Sequence, residues 1–361
     1  MKKIVFVNGR FLTQPVTGVQ RYAREVLNAI DGQLGADSPL QWTVLAPPGA
    51  DRISSWKHIG VRCVGRLSGH AWEQLELPLH AKDGYLLALS GAPSVLHRAQ
   101  FFAIHDTALY DEPSGYSPSY RFFYRLLYRL SVHRAQAIFT VSQFSRERLQ
   151  AIFGKSLGEV QVTYGGTDHF GRKRSNADSG GEHVNLPDRP YVLAVGSLAK
   201  NKNIELVLEL AQLMRDVNLR FVLVGGALPK VFGENRSLPD TVQWLGRVSD
   251  DVLETLYKQA EAFIFPSLYE GFGLPPLEAM RFRCPVVASD AASIPEVCGD
   301  AALYFDPHSA SDLKDRLTQV IGNPSLAEDL RKRGDEQAQK YKWEYVGSAV
   351  RSAVERIVQE R

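Results

Sequence analysis

The feature that most limits what this chain can fold into is a pattern that runs its course and then begins again. Short apolar runs recur at Ile4–Val7, Trp42–Ala46, Gly60–Val64, Tyr85–Leu89, Phe101–His105, Ala137–Val141 and Val160–Tyr164, with helix-like stretches between them. A second series comes at Tyr191–Val195, Phe221–Gly226, Val242–Gly246, Ala262–Phe265, Pro285–Ser289 and Ala302–Phe305. Runs this short, bounded by turn residues and alternating with helices, read as strands of a parallel sheet covered on both faces. Each series also opens alike. Ile4–Val7 leads through a polar loop to Gly18 and the amphipathic run Val19–Ile30, and Tyr191–Val195 leads through Gly196–Asn203 to Ile204–Met214. Strand, loop and helix in that order open a doubly wound α/β domain, although a plain turn also accounts for a single glycine at 18. The fold class is α/β, in two halves.

Between the halves lies Gly171–Pro190, polar, rich in Gly, Ser, Asn and Asp, and closed by Pro187-Asp-Arg-Pro190. That is the composition of a linker or a long loop. A length of 361 residues accommodates two domains. The expected division is 1–170, a linker at 171–190, a second domain at 191–340 and a closing amphipathic helix at 341–361. Val346, Val350, Ala353, Val354 and Ile357 mark that helix, which is expected to pack back on the first domain. Two such domains facing each other would make a cleft lined by carboxyl-terminal strand ends, with a nucleotide on one wall and a second substrate on the other.

Composition removes several classes. A net charge of +2 leaves no basic footprint for nucleic acid. Cys63, Cys284 and Cys298 form no metal or redox spacing and suit a reducing compartment. The start, Met-Lys-Lys-Ile-Val-Phe-Val-Asn-Gly, is too short an apolar run for a signal peptide. A membrane span needs about eighteen apolar residues in a row, and the chain has no such run. The expected location is cytoplasmic.

The densest chemistry lies in Pro266-Ser-Leu-Tyr-Glu-Gly-Phe-Gly-Leu-Pro-Pro-Leu-Glu-Ala-Met280. Gly271 and Gly273 let backbone approach a ligand closely. Pro275-Pro276 constrains the backbone on either side: Leu274 and Pro275 are expected to stay extended, with a helix starting near Pro276 and Glu278 in its first turn. Strand, glycine loop, helix N-terminus and two acids, Glu270 and Glu278, describe a site for sugar hydroxyls beside a phosphate. Each piece alone has a plainer reading. A glutamate in a first helical turn is favoured by the dipole, and Phe272 and Leu274 suit a core. Asn203 is the expected N-cap of the helix from Ile204, and Lys200 and Lys202 stand beside that N-terminus, where the dipole gives them nothing and an anion between them would. His105-Asp106 ends a strand at the edge where such sheets bind ligands, or is simply a strand-end histidine bonded to a carbonyl.

The segment Tyr120–Arg134 carries Arg121, Arg125 and Arg129 on one helical stripe. Phe122, Phe123, Leu126, Leu127 and Leu130 are expected on the other side, over a core, with Tyr120, Tyr124 and Tyr128 as a border. A solvated face over a core is one reading, and peripheral contact with an anionic membrane is the other.

At these residues the sequence resembles the retaining glycosyltransferases of family 4, with the GT-B fold of two Rossmann-like domains whose parallel sheets face across a cleft. Within them it is similar to the bacterial mannosyltransferases of O-antigen assembly. The likeness covers nearly the whole chain and is strongest in Phe265–Met280, whose glutamates are separated by seven residues. It continues through Pro285-Val-Val-Ala-Ser-Asp290, Ile294-Pro-Glu-Val297 and Ala301–Pro307. Upstream, Thr17-Gly-Val-Gln-Arg-Tyr22, His105-Asp106, Val141-Ser-Gln-Phe-Ser145 and Val195-Gly-Ser-Leu198 also fit.

The resemblance implies roles. Glu278 holds the ribose of the nucleotide, and Glu270 binds hydroxyls of the donor sugar. The backbone of Gly271, Phe272, Gly273 and Leu274 meets the sugar and distal phosphate, and Lys202 pairs with the diphosphate. Ser197 belongs to the donor site, Gly18 lets the first loop touch the diphosphate, and His105 reaches the transferred sugar. The base lies near Gly225 and the segment with Arg247 and Val248. Glu270, His105 and Lys202 are thereby the expected catalytic residues. Asn201 departs from the family, which often has arginine there, and Lys200 is the nearest replacement charge. Phe282-Arg-Cys284 and Gly165-Gly166 depart as well.

The resemblance also implies retention, by same-face attack with the leaving phosphate helping to accept the acceptor's proton. Lys202 and helix N-terminal dipoles supply positive charge to that phosphate. No Asp-x-Asp stands in the sequence, and Asp250-Asp251 reads as helix capping, so no metal site and no cofactor are expected. GDP-mannose is the donor implied by the subfamily, with UDP- and dTDP-sugars as alternatives, and a lipid-linked oligosaccharide or polysaccharide is the acceptor; the resemblance implies that the domain at 1–170 binds the acceptor and the domain at 191–340 the nucleotide sugar. An epimerase or phosphorylase on the same fold, and a non-catalytic nucleotide-sugar-binding protein, are the rival readings. No signal for oligomeric state stands in the sequence.

Overall fold

The computed structural model describes residues 2–50, 56–170, 190–226 and 238–360. It divides into two units, Met1–Gly166 with Lys342–Arg361, and Thr167–Tyr341. The expected linker lies, except for Pro190, outside the described residues. Thr167 donates its N–H to the Tyr341 carbonyl at 3.1 Å, so the stretch up to Phe170 goes with the second unit.

The first unit is built on a parallel sheet of β1 (Lys3–Asn8), β2 (Leu40–Ala46), β3 (Gly60–Cys63), β4 (Tyr85–Ala88), β5 (Gln100–Ala103), β6 (Ala135–Thr140) and β7 (Val160–Val162). Their order is β3-β2-β1-β4-β5-β6-β7. Val5, Val7, Val44, Leu87, Phe101 and Phe139 are fully buried, as strands covered on both faces require. The chain winds outward from β1 to β3, then crosses back to β4 on the other side of β1. Strand order therefore reverses between β1 and β4. The helix Gly18–Gln33 lies against the closing helix Trp343–Gln359, where Gly347 stands tight against Ala29 and Trp343 is fully buried.

The second unit repeats the plan with β8 (Tyr191–Val195), β9 (Arg220–Val224), β10 (Val242–Gly246), β11 (Ala262–Phe265), β12 (Val286–Ser289) and β13 (Ala302–Phe305), ordered β10-β9-β8-β11-β12-β13. Here the reversal falls between β8 and β11. Helices Ile204–Leu213 and Ala310–Gly322 close one face of this sheet through Val207, Leu210, Leu313 and Leu317, packed on Ala194, Phe221 and Ile264.

Helix Pro118–Ser131 corrects one expectation. Only Leu127 and Ser131 are buried on it, while Phe122 is 72% exposed and Phe123, Leu126 and Leu130 are exposed as well. Two of the three tyrosines face inward: Tyr124 Oη meets His70 Nε2 at 3.2 Å, and Tyr128 packs on the cluster of Ala88, Ile104 and Leu149, while Tyr120 is exposed. Tyr124 finds a polar partner beneath the helix that Phe or Leu could not use, whereas Tyr128 rests on an apolar cluster. The leucines consequently stand outward beside Arg125 and Arg129 rather than opposite them.

Candidate active site

The carboxyl end of β11 runs into the glycine loop, and the loop's path is held by side chains that grip its carbonyls. Asn203 Nδ2 donates to Pro266 O at 3.2 Å, and Ser289 Oγ to Ser267 O at 2.6 Å. Asn201 Nδ2 donates to Tyr269 O at 3.2 Å. Ser293 Oγ contacts both Glu270 O (2.9 Å) and Phe272 O (3.1 Å). One expectation changes here. Asn203 occupies the N-cap position of helix Ile204–Leu213 in a left-handed conformation (φ 53°), but its side chain makes no cap. Its amide instead ties Pro266 to Pro307 (2.8 Å), joining the loops after β11 and β13. Asn201, where the family often has arginine, braces the loop, and Lys200 is exposed.

The helix after the loop starts earlier than the prolines suggest. It spans Leu274–Arg281, with Gly273 as N-cap at φ 103°, a conformation that favours glycine. Leu274 and Pro275 are helical rather than extended. The first N–H groups of a helix have no internal partner, so prolines in the first turn cost no hydrogen bond and bring a helical φ. Glu278 thus lies in the second turn, and the dipole no longer accounts for it. Likewise Asp250 and Asp251 begin helix Asp250–Gln259 without capping it, since Ser249 Oγ accepts from Val252 N at 3.4 Å.

At the reversal of the second sheet, Lys202 Nζ meets Glu270 Oε1 at 2.6 Å. Lys202 follows β8 and Glu270 follows β11, so the pair bridges the carboxyl ends of the two strands between which the order turns. Ligands of open α/β sheets bind at that point. The pair keeps contact with solvent, with side chains 25% and 12% exposed. Four other expected residues stand at neighbouring strand ends. Gly225 follows β9, donates to Gly246 O at 2.7 Å and passes so close to the Gly196 carbonyl that any Cβ would collide with it. Ser197 is exposed just after β8, and Arg247 and Val248 follow β10.

Glu278 has partners that the spacing gave no hint of. Its Oε1 lies 3.3 Å from His169 Nε2, and its Oε2 accepts from Tyr257 Oη at 3.2 Å. His169 is buried against Phe170, whose ring meets Phe282 edge-on, and Phe282 stacks on Tyr257. Phe272 is buried edge-on to Tyr341. Gly271 and Gly273 are buried and Leu274 is half-buried.

Gly18 and His105 belong to the first unit. Gly18 opens helix Gly18–Gln33, after Thr17, whose N–H donates to Gln20 Oε1 at 3.3 Å. No described atom lies within 4 Å of where a Cβ on Gly18 would stand, so packing does not explain the glycine. His105 Nε2 lies 2.8 Å from the Leu89 carbonyl and donates to it, and Tyr22 meets its ring edge-on at 4.8 Å. Burial lowers the pKa of His105 against the opposing pull of Leu89 O and Asp106, so the ring is neutral and Nδ1 is left as an acceptor. Among the described residues no cluster of three or more His, Cys, Asp or Glu is disposed to hold a metal ion. None of the described helices is long and apolar enough to cross a membrane.

Two Rossmann-like units with this site define a GT-B glycosyltransferase. The sucrose-phosphate synthase of Thermosynechococcus elongatus superimposes over all of both chains with a TM-score of 0.77 at 19% identity. The model of glycosyl transferases group 1 matches residues 181–337. An O-antigen chain mannosyltransferase B of Escherichia coli is 32% identical over 70% of this chain and 68% of its own length. The Salmonella typhimurium mannosyltransferase RfbU is 29% identical over 62% of each chain. The chain belongs to the group 1 glycosyltransferases, and it is a hexosyltransferase.

Proposed function

We propose that this enzyme moves mannose from GDP-mannose, with retention and without a metal, onto a lipid-linked oligosaccharide or polysaccharide acceptor of O-antigen type. The mannosyltransferase relatives support the sugar. The observation that carries the reading is the Lys202–Glu270 contact at the reversal of the second sheet. In the unliganded protein each side chain neutralises the other. An incoming diphosphate takes the lysine, and the released carboxylate accepts hydroxyls of the sugar, so both charges find partners at once. The bond from C1 to the diphosphate oxygen then breaks, the acceptor oxygen bonds C1 on the same face, and the acceptor's proton passes to the departing diphosphate. Glu278, aligned by His169 and Tyr257, holds the ribose. Ser197, Gly225, Arg247 and Val248 serve the nucleotide, the backbone from Gly271 to Leu274 the sugar and distal phosphate, Gly18 the diphosphate and His105 the sugar.

A thermal-shift panel of GDP, UDP and dTDP with their sugars tests the donor, since a ligand raises the melting temperature according to its affinity. GDP-mannose is expected to give the largest rise, and a larger one from a UDP- or dTDP-sugar would replace it. Anomeric analysis of the product by NMR tests retention. Turnover is expected to survive excess EDTA, and strong inhibition would contradict the metal-free account.

The same proposal puts the enzyme at the inner face of the cell membrane through helix Pro118–Ser131. Phe122, Leu126 and Leu130 stand outward beside Arg125 and Arg129, apolar groups for the acyl boundary next to charges for anionic headgroups. Sedimentation with vesicles containing phosphatidylglycerol is expected, and Phe122→Ser with Leu126→Ser is expected to abolish it. Equal sedimentation with purely zwitterionic vesicles would contradict the electrostatic part.

A further inference from the structure

The helix that opens with Gly18 carries Tyr22 one turn further on, on the same side. Tyr22 is buried, and its hydroxyl meets Thr163 Oγ1 at 2.7 Å, just past the end of β7. Thr163 N in turn donates to Thr140 O, the last residue of β6, at 2.7 Å. The phenol is thereby tied to the sheet. Burial pushes its pKa well up, so the hydroxyl stays protonated and the tie persists throughout the neutral range.

Two further rings stand against this one. The His105 ring lies nearly perpendicular to it with 4.8 Å between centroids, and the indole of Trp343 meets it at 5.9 Å and 74°. Perpendicular rings at such separations attract one another through their quadrupoles, so each limits the rotation of the next. Trp343 is the first residue of the closing helix and is fully buried. Its seat requires glycine at 166, because a Cβ there would run into the Trp343 backbone and indole. Elsewhere the core of this sheet is filled by Phe101, Phe102 and Phe139, which need no hydroxyl partner, whereas position 22 carries a hydroxyl and uses it.

His105 is consequently held at three points. Ser145 Oγ donates to its carbonyl at 3.3 Å, its Nε2 donates to Leu89 O at 2.8 Å, and Tyr22 stands across its ring. A histidine held by one ring hydrogen bond can swing about that bond and exchange the nitrogen that carries the proton. A ring packed across it removes the swing. We propose that Tyr22, with Trp343 against it, is a positioning residue for transfer: it locks His105 with the proton on Nε2 and presents Nδ1 as a fixed acceptor for a hydroxyl of the sugar. The contact of His105 with the sugar rests on the function proposed above, whereas the hold on its ring does not.

Long-range 1H–15N correlation on the complete chain, labelled at histidine and without nucleotide, reads the tautomer, and the spectrum of His105→Gln assigns the signal. In the wild type His105 is expected as the Nε2–H tautomer alone. In Tyr22→Leu its two nitrogen shifts are expected to move toward an average of both tautomers. The same variant is expected to lose about tenfold in kcat/KM for the sugar nucleotide while GDP binds as before, since a displaced group costs the sugar contact and not the nucleotide. Tyr22→Phe keeps the ring and is expected to keep the tautomer, with turnover within about threefold of the wild type. Trp343→Phe loosens the ring without removing it and is expected to change both readings in the direction of Tyr22→Leu, so it decides alone should Tyr22→Leu not fold. A single Nε2–H tautomer retained in every folded variant would overturn the positioning and leave the role of His105 untouched. Averaged nitrogen shifts with wild-type turnover would remove His105 from the transfer, and the positioning with it.

Discussion

Each sheet reverses its strand order once, and at each reversal a basic side chain meets a glutamate. The surroundings of the two pairs differ. Glu73 is completely buried and takes hydrogen bonds from Asn8, Arg10, His70 and Ala92, so it knots β1 to β4. Glu270 is 12% exposed and meets Lys202 through one 2.6 Å contact, while the loop around it is held separately by Asn201, Asn203, Ser289 and Ser293. A carboxylate saturated with donors fixes a fold. One with a single partner, on a loop that stays in place without it, can trade that partner for a ligand. The first pair is therefore expected to govern stability, and the second, on the proposed reading, turnover.

The sharpest break of this comparison is Glu270→Ala. Transfer is expected to fall by about 10²–10³-fold or more, as for loss of one preorganised electrostatic contact, with circular dichroism unchanged. Full activity would remove Glu270 from the site. Arg10→Met should show the reverse behaviour. Leaving Glu73 buried without its cation is expected to cost about 3–5 kcal/mol in urea unfolding, whereas Lys202→Met should change stability by no more than about 1 kcal/mol, because that pair is partly solvated. Equal losses would erase the distinction. Asn203→Ala lies between them: two carbonyls lose their shared donor, and about 1–3 kcal/mol of stability should go with some activity.

The smallest effect concerns acid. Burial lowers the pKa of His97 and His105, both in the first unit. Below about pH 6.5 the unfolded chain takes up protons that the folded unit refuses, so this stability is complete above that pH and drains as pH falls toward the lowered values. Melting of the first unit should thus decline as pH falls below about 6.5, less steeply in His97→Gln with His105→Gln. A decline of the same steepness in that double variant would refute the assignment.

Periodicity alone made the two sheets readable. Every apolar run singled out became a strand, because a strand buried on both faces leaves an uninterrupted apolar signature. The Glu270 loop was readable because glycines, prolines and acids crowd one short stretch. Local rules failed where a partner distant in sequence decided the outcome. Asn203 looked like a cap until Pro266 and Pro307 claimed its amide. The tyrosines of helix Pro118–Ser131 looked like a border until His70 drew Tyr124 inward. Glu73 and His169 carried no signal: one is an acid whose partners Asn8 and Ala92 come from distant parts of the chain, and the other lies far along the chain from Glu278, which it meets. Buried polar contacts of this kind are set by topology and leave no local trace.

The exchange of partners at Lys202 and Glu270 can be measured directly by titration calorimetry with GDP and with GDP-mannose. Lys202→Met is expected to weaken both ligands about tenfold or more, because the diphosphate loses its cation. Glu270→Ala is expected to weaken GDP-mannose alone and to bind GDP at least as tightly as the wild type, since a competing negative charge has gone. Lys202→Met with wild-type affinity, or Glu270→Ala that loses GDP and GDP-mannose alike, would contradict the exchange.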